Sequence, residues 1–143
     1  LAKWPGRLQE AKWEGMPIVL DGAHNPHAAK QLSIEINAWT EQESGIIWIL
    51  GIQKQKDMMS ILHNLIKEKD LAWIVPIPNQ QSWSKNQILS YCPEYKKQLK
   101  EALSVEEVLS ILGKRKAWPS PPPIITGSLY LIGDLFQRQI LRS

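Results

Sequence analysis

The side chains best suited to take part in chemistry lie in VLDGAHNP, residues 19–26, where an apolar run leads directly into Asp21, His24 and Asn25. Ser128, much later in the chain, also comes shortly after an apolar run. A hydroxyl, an imidazole and a carboxylate could form a Ser128–His24–Asp21 hydrolase triad. Asp21 and His24 share one tight loop, however, and an Asp only three residues away is badly placed to orient the ring. The spacing therefore argues against a triad.

A metal site is a second chemistry that the same region could support. Asp21, His24 and His27 carry oxygen and nitrogen donors. His27 falls in the first turn of a predicted helix and should face solvent, so the three donors are not expected to converge. We therefore assign no metal ligand to this chain. His63 is expected to be a partly buried histidine in the middle of a helix.

Three familiar motifs are absent from the sequence. There is no Gly-x-x-x-x-Gly-Lys-Ser/Thr phosphate loop, since the only Gly-Lys pair, Gly113-Lys114, is followed by Arg115. The dinucleotide fingerprint Gly-x-Gly-x-x-Gly and the nucleophile elbow Gly-x-Ser-x-Gly are also missing. Any nucleotide chemistry must therefore use other residues.

Strands and helices alternate along the chain, which predicts an α/β fold: a three-layer, mostly parallel sheet with helices on both faces, Rossmann-like. Short apolar runs predict four strands, over 17–20, 46–51, 71–75 and 123–126. Helical spacing and capping residues predict helices over 26–39, from Asp57 to a last turn with Lys67 and Lys69, over 84–91, over 104–113 and over 129–141. Residues 1–16 are predicted to be irregular, and a short strand could lie within 92–103.

Helix starts carry recognisable caps. Asn25 is a good N-cap and is followed by Pro26 at the first helical position, where proline is tolerated. Asp57 caps the next helix. Two later helices begin with capping boxes, in which a serine is followed three residues later by Gln or Glu: Ser84 with Gln87, and Ser104 with Glu107.

Three polar loops follow predicted parallel strands, over 21–25, 51–57 and 127–128. The carboxyl ends of parallel strands meet at one edge of a sheet, and ligands bind there. Each of these loops also leads into a helix, whose first backbone N–H groups are available to an anion such as phosphate or carboxylate. We therefore expect the loops to converge on one binding edge.

Composition restricts the class of protein. The 143 residues are 43% hydrophobic and 22% charged, as in one globular domain. No apolar run approaches the ~20 residues of a membrane-spanning helix, so no membrane partner is expected. The single cysteine, Cys92, excludes an internal disulfide and a cysteine-based zinc site and favours a reducing, cytoplasmic location. The net charge of +3 is modest, and Lys114–Lys116 suits a helix C-terminus better than a nucleic-acid patch.

Four segments occur in an order that matches a known family: WPGRLQ at 4–9, LDGAHNPHAA at 20–29, LGIQKQKDM at 50–58 and TGSLYLIGDL at 126–135. Together they resemble the C-terminal domain of folylpolyglutamate synthase/dihydrofolate synthase, in the Mur-ligase superfamily. DGAHNP and TGSLYL are specific to the folate branch. Lys56-Asp57 matches the family's third motif, whereas residues 53–55 depart from it.

The resemblance implies an ATP-dependent ligase. A folate or dihydropteroate carboxylate is phosphorylated to an acyl phosphate, and the amino group of L-glutamate then displaces phosphate. By resemblance, Arg7 and Asp21 contact ATP, which suits a planar guanidinium and a carboxylate acceptor. The residues matching His24 and Ser128 line the glutamate site, and Asn25 is a tentative third member.

The resemblance also implies that residues 1–143 form a single domain, the C-terminal domain of a longer two-domain ligase. In the family, the phosphate loop and most Mg²⁺ ligands belong to an N-terminal ATPase domain, so this chain alone is expected to be inactive. Two alternatives stay open: another Mur-type amide ligase with a different acceptor, and a non-catalytic nucleotide-binding or interaction module. The sequence does not separate dihydrofolate synthase from folylpolyglutamate synthase.

Overall fold

The computed structural model describes residues 8–39 and 45–143. Within these residues six strands form one sheet: β1 (Gln9–Trp13), β2 (Met16–Leu20), β3 (Ile47–Leu50), β4 (Leu71–Ile74), β5 (Leu99–Glu101) and β6 (Ile124–Thr126). The helices are α1 (Pro26–Trp39), α2 (Met58–Leu65), α3 (Lys85–Tyr91), α4 (Val105–Gly113) and α5 (Leu129–Gln137), with a 3₁₀ helix at Pro93–Tyr95.

The sheet has the order β1-β2-β6-β3-β4-β5. All neighbouring pairs are parallel except β1 with β2, which is an antiparallel edge. This places β6, the last strand in the sequence, between β2 and β3. The predicted fold class, a mostly parallel sheet between helical layers, is confirmed.

The core has two halves, one on each face of the sheet. Successive strand residues point to opposite faces, so Val19 packs with one half and its neighbours Ile18 and Leu20 with the other. Helices α1, α2 and α3 contribute to the first half and α4 and α5 to the second. Complete burial of a side chain such as Leu32 in α1 contributes about 1.5–3 kcal/mol.

The predicted caps form. Asn25 Oδ1 accepts from the Ala28 N–H at 2.8 Å, and Asp57 Oδ1 accepts from the Ser60 N–H at 3.2 Å. The capping box of Ser84 with Gln87 is complete. The second box is modified, because the Glu107 carboxylate accepts from the N–H of Leu103 while the Glu107 N–H donates to Ser104.

Several boundaries were predicted wrongly. The lead-in is not irregular throughout, since β1 pairs with β2 from Gln9↔Leu20 to Trp13↔Met16. α2 ends at Leu65, so Lys67 and Lys69 lie beyond it, and α5 ends at Gln137 rather than 141. The early end of α2 has a local cause, because the Lys67 N–H donates to the carboxylate of the buried Asp70, three residues ahead, instead of continuing the helix.

No described helix is both long and apolar enough to cross a membrane.

Candidate functional site

The three polar loops converge as predicted. The Asp21 N–H donates to the Ile125 carbonyl at 3.1 Å, and the Gly51 N–H donates to the Thr126 carbonyl at 3.3 Å. The Thr126 hydroxyl in turn donates to the Ala23 carbonyl at 3.4 Å. Because β6 lies between β2 and β3, its carboxyl end is bonded to the loops on both sides.

Glycine permits this close packing at two positions. Gly127 has a φ of +106°, and a Cβ there would lie 2.4 Å from the Gly51 carbonyl oxygen. A Cβ on Gly22 would lie 2.5 Å from Cδ2 of Leu129. The turn from β6 into α5 therefore packs directly against the ends of the neighbouring strands.

Asp21 is the buried carboxylate of the site, with only 1% of its surface exposed. Its Oδ2 accepts from the Ala23 N–H at 2.8 Å, two residues along the chain. This local bond orients the side chain in the loop that follows β2.

His24 is partly exposed and its ring is held by the backbone. Nδ1 lies 2.8 Å from the Gly22 carbonyl oxygen. A carbonyl oxygen only accepts, so Nδ1 carries the hydrogen. In the neutral ring Nε2 is then an acceptor, and it becomes a donor only when the imidazole is protonated.

Asn25 and Ser128 both begin helices. Asn25 is exposed at the start of α1. Ser128 is 1% exposed, and its Oγ accepts from the backbone N–H groups of Tyr130 and Leu131 at 3.1 and 3.4 Å. Because both lone pairs of the Ser128 oxygen accept these bonds, Ser128 can interact with a further group only by donating its hydroxyl hydrogen.

An open groove of about 330 Å³ lies beside these loops. Among the described residues, Asp21, His24 and Gln9 of β1 line this groove. The rest of the described lining is an apolar wall formed by Leu20, Gly22, Ala28, Leu129 and Ile132. The sequence predictions missed Gln9, because the short β1 carries no clear strand pattern, and missed the apolar wall, because Leu129 and Ile132 read as ordinary helix residues. The predicted ATP ligand Arg7 lies outside the described residues.

The geometry does not resemble a hydrolase triad. The ring nitrogen Nδ1 of His24 is bound to a backbone carbonyl, and the Ser128 oxygen is occupied as a helix cap. A triad would need the histidine between a serine and a carboxylate. His27 is exposed, as predicted, and among the described residues Asp21, His24 and His27 do not form a group of mutually close ligand atoms.

Two neighbouring features belong to the same sheet edge. In the loop after β3, the buried Gln53 side chain donates to Gln80 at 3.0 Å. Gln53, one of the residues that depart from the family motif, therefore makes a structural contact.

A larger groove of about 440 Å³ lies beyond the ends of β4 and β5 and is lined in part by Trp83, Glu101 and Glu107. Of the predicted site residues that the structure describes, none is among the residues that line this second groove.

The fold and this edge define a three-layer α/β domain with a ligand groove at the carboxyl ends of its parallel strands. Residues 6–138 match the family described as the dihydrofolate synthetase C-terminal domain. The chain belongs to that family.

Sequence similarity to individual proteins is consistent with this family. The chain is 30% identical to the folylpolyglutamate synthase of Lacticaseibacillus casei, over 94% of this chain and 29% of the relative. It is 26% identical to the probable dihydrofolate synthetase of Schizosaccharomyces pombe, over 94% of this chain and 34% of the relative. The chain thus spans about a third or less of the length of these two proteins.

Solved structures share the fold. Folylpolyglutamate synthase from Mycobacterium tuberculosis, complexed with ADP and AMPPCP, matches with a TM-score of 0.74 and 20% identity. FolC from E. coli, in complex with DHPP and ADP, matches with a TM-score of 0.70 and 24% identity. In each case the match covers 96% of this chain and 32% of the larger protein.

Proposed function

We propose that this chain is the C-terminal domain of a cytoplasmic, ADP-forming ligase that adds L-glutamate to folate or dihydropteroate. Residues 1–143 would form one domain that acts together with an N-terminal ATPase domain. The family match over residues 6–138 carries the proposal. The groove that brings Asp21 and His24 together gives it a location.

The reaction moves two groups. The γ-phosphoryl group of ATP passes to the acceptor carboxylate and leaves ADP. The glutamate nitrogen then attacks the carbonyl carbon of the acyl phosphate, the bond to phosphate oxygen breaks, and the amine loses a proton as the amide forms. Mg²⁺, held mainly by the N-terminal domain, would neutralise phosphate charge. This chain's residues would bind and orient.

Asp21 and Arg7 are assigned to the ATP side. The Ala23 N–H holds Asp21 Oδ2 in a fixed direction, which suits an acceptor for ribose hydroxyls. Asp21 is also the only carboxylate among the described lining residues of the groove, so these residues offer no cluster of Mg²⁺ ligands there. Arg7 would pair with phosphate oxygens through its planar fork.

His24, Ser128 and tentatively Asn25 are assigned to the glutamate side. The Nδ1–H bond to Gly22 decides what His24 can do. Neutral His24 would accept from the glutamate ammonium through Nε2, and protonated His24 would donate to a glutamate carboxylate. Ser128 would donate its hydroxyl hydrogen to a carboxylate, and Asn25 would add a side-chain amide at the start of α1.

The first test reconstitutes the ligase. The purified chain, its N-terminal partner domain, ATP, Mg²⁺ and glutamate are combined with folate or dihydropteroate, and ADP and the glutamylated product are measured. Product is expected with both domains and none with the chain alone. Absence of glutamylation with both acceptors would contradict the proposal, and product with a different carboxylate acceptor would favour another Mur-type ligase.

A histidine pair tests the glutamate assignment. His24→Ala should raise the KM for glutamate about tenfold or more, since a hydrogen bond to a charged group contributes about 1.5–3 kcal/mol. His27→Ala is the matched control, because His27 is exposed in the first turn of α1, three residues after His24, and should leave the kinetics unchanged. If the two substitutions change the KM for glutamate equally, His24 does not bind glutamate.

A serine pair separates binding from capping. Ser128→Ala and Ser104→Ala each remove an N-cap and should each lower the free energy of unfolding by about 1 kcal/mol. Only Ser128→Ala should also raise the KM for glutamate. If both variants bind glutamate equally well in the reconstituted ligase, Ser128 is a cap and nothing more.

A further inference from the structure

A side-chain cluster away from the groove combines three kinds of metal ligand. His63, Cys92 and Glu94 place a nitrogen, a sulfur and a carboxylate oxygen within 4.8 Å of one another. Nε2 of His63 lies 3.2 Å from Oε2 of Glu94. In the described parts of the chain, this is the only group of three or more His, Cys, Asp or Glu side chains whose ligand atoms lie that close.

The three residues are brought together by helix ends. His63 lies in the last turn of α2. Cys92 is the C-cap of α3, where its N–H donates to the Ile88 carbonyl, and Glu94 lies in the 3₁₀ helix that follows at once. The C-terminal end of a helix carries partial negative charge, so the end of α2 favours a cation near His63.

The exposure of the three side chains suits a metal ion. Cys92 is fully buried, whereas the side chains of His63 and Glu94 are 48% and 56% exposed. The sulfur is therefore a fixed inner ligand, and the two outer ligands can adjust around an ion that arrives from solvent. The Tyr95 ring packs against the His63 ring at a centroid distance of 5.7 Å and restricts its orientation.

A nucleophilic role for the thiol does not fit the same geometry. A catalytic thiolate needs access to substrate, and Cys92 is buried. The sulfur is better suited to a closed structural arrangement.

We propose that His63, Cys92 and Glu94 form a Zn²⁺ site, with water as the fourth ligand. One imidazole nitrogen, one thiolate and one carboxylate oxygen are all zinc ligands in proteins, and tetrahedral geometry is usual. When the ion binds, a zinc–sulfur bond forms and the thiol proton passes to water. The ion would join α2 to the segment that connects α3 and the 3₁₀ helix. The expectation that a single cysteine excludes a cysteine-based zinc site would then hold only for sites built from cysteines alone, because the structure places His63 and Glu94 beside Cys92.

The experiment measures metal binding on the purified chain. After equilibration with Zn²⁺ and dialysis, metal content is determined, and Co²⁺ is then used as a spectroscopic probe. One Zn²⁺ per chain and a thiolate-to-cobalt charge-transfer band in the near ultraviolet are expected. Thermal unfolding followed in parallel should show a higher Tm with Zn²⁺ than without it.

Variants identify the ligands. His63→Asn and Glu94→Gln change exposed side chains and should lower Zn²⁺ affinity by more than the 10–100-fold range that is common for outer-shell changes. Cys92→Ser should abolish the cobalt–thiolate band. His27→Asn and Glu68→Gln alter exposed residues elsewhere and serve as matched controls.

The possible results are decisive. Loss of binding in all three cluster variants, with both controls unchanged, supports the site. Zinc that binds equally well to His63→Asn, or a cobalt complex without a thiolate band, overturns it. Because His63 is exposed, its substitution leaves the core intact, so this variant stays informative even if Cys92→Ser folds poorly.

Discussion

Two buried aspartates at opposite edges of the sheet show how similar side chains acquire different roles. Asp70, 2% exposed, lies at the amino edge just before β4. Its Oδ1 accepts from the Ile46 N–H, and its Oδ2 accepts from the Trp48 indole and the Lys67 N–H, all at 2.8–2.9 Å. Asp21, 1% exposed, lies at the carboxyl edge.

The largest difference between Asp70 and Asp21 is the volume of open space beside the carboxylate. The void lined in part by Asp70 measures about 10 Å³, no more than one water requires, whereas the groove lined by Asp21 measures about 330 Å³. Three donors from two segments, the start of β3 and the turn before β4, surround Asp70 and fix these segments together. Burial of a charge does not by itself indicate function, and open space beside the charge is what distinguishes Asp21.

The largest effect is expected from Asp70→Asn. An amide has one acceptor oxygen, so at least one of the three donors would face an NH₂ group, and the charge assistance of the other bonds would be lost. The free energy of unfolding should fall by about 3 kcal/mol in urea titrations. Asp57→Asn is the control, since Asn and Asp are equally good N-caps and little should change. If Asp70→Asn lowers the free energy of unfolding by less than about 1 kcal/mol, the three hydrogen bonds to the Asp70 carboxylate contribute little to stability.

Gly127→Ala tests how tightly the carboxyl edge is packed. The new methyl group would meet the Gly51 carbonyl at a φ that side chains rarely adopt, so a loss of about 2 kcal/mol or more is expected. Gly133→Ala is the matched control, because nothing lies within 4 Å of its Cβ position in α5 and a gain of up to about 1 kcal/mol is expected. Thermal unfolding of both variants compares them, and equal stability would show that the edge is loose.

Asp21→Asn tests the opposite side of the comparison. The amide keeps an oxygen for the Ala23 N–H but removes the charge. In the reconstituted ligase kcat/KM for ATP should fall about tenfold, which corresponds to about 1.4 kcal/mol of transition-state free energy. Asp70→Asn, assayed at a temperature where it is folded, should leave the kinetics unchanged. If the two variants lose activity together, the two carboxylates do not differ in role.

The smallest effect concerns a partly exposed carboxylate at the surface. Glu106 on α4 accepts from Arg138 at 2.8 Å, and this hydrogen bond is the main cause that lowers the Glu106 pKa. A lowered pKa stabilises the fold above the ordinary carboxyl value of 4.5, and the contribution is lost as the pH falls through the lowered value. Because both side chains are partly exposed to solvent, which screens the pair, Glu106→Gln should lose at most about 0.5 kcal/mol at pH 7.

The pH profile checks that sign. The stability difference between the native chain and Glu106→Gln should shrink as the pH drops below about 4.5. Urea titrations at several pH values measure this difference. A difference that stays constant down to acid pH would show that the ion pair contributes nothing to stability.

Local features were predictable because they depend on a few adjacent residues. The cap at Asn25 and the capping box at Ser84 follow from side chains within one helical turn. Helical spacing predicted a helix over 26–39, and α1 has this span. The convergence of the three loops was also predictable, since parallel strands place their carboxyl ends together.

Features that depend on distant partners were not predictable. β1 lies in a segment that was predicted to be irregular, and its ladder with β2 defines it. A short strand was allowed within 92–103, but only the ladder with β4 fixes β5 at Leu99–Glu101. The His63–Glu94 contact joins residues 31 positions apart. His63, expected to be partly buried, is exposed because α2 presents it at the surface beside Glu94.

The sequence by itself determined the alternation of strands and helices, the caps and the composition of the candidate loops, because these follow from periodicity and from backbone groups that neighbouring side chains satisfy. Only the tertiary structure decided that Asp21 faces a groove while Asp70 is enclosed, and that His63 and Glu94 meet Cys92. The physical reason is that burial and open space depend on which distant segments pack together.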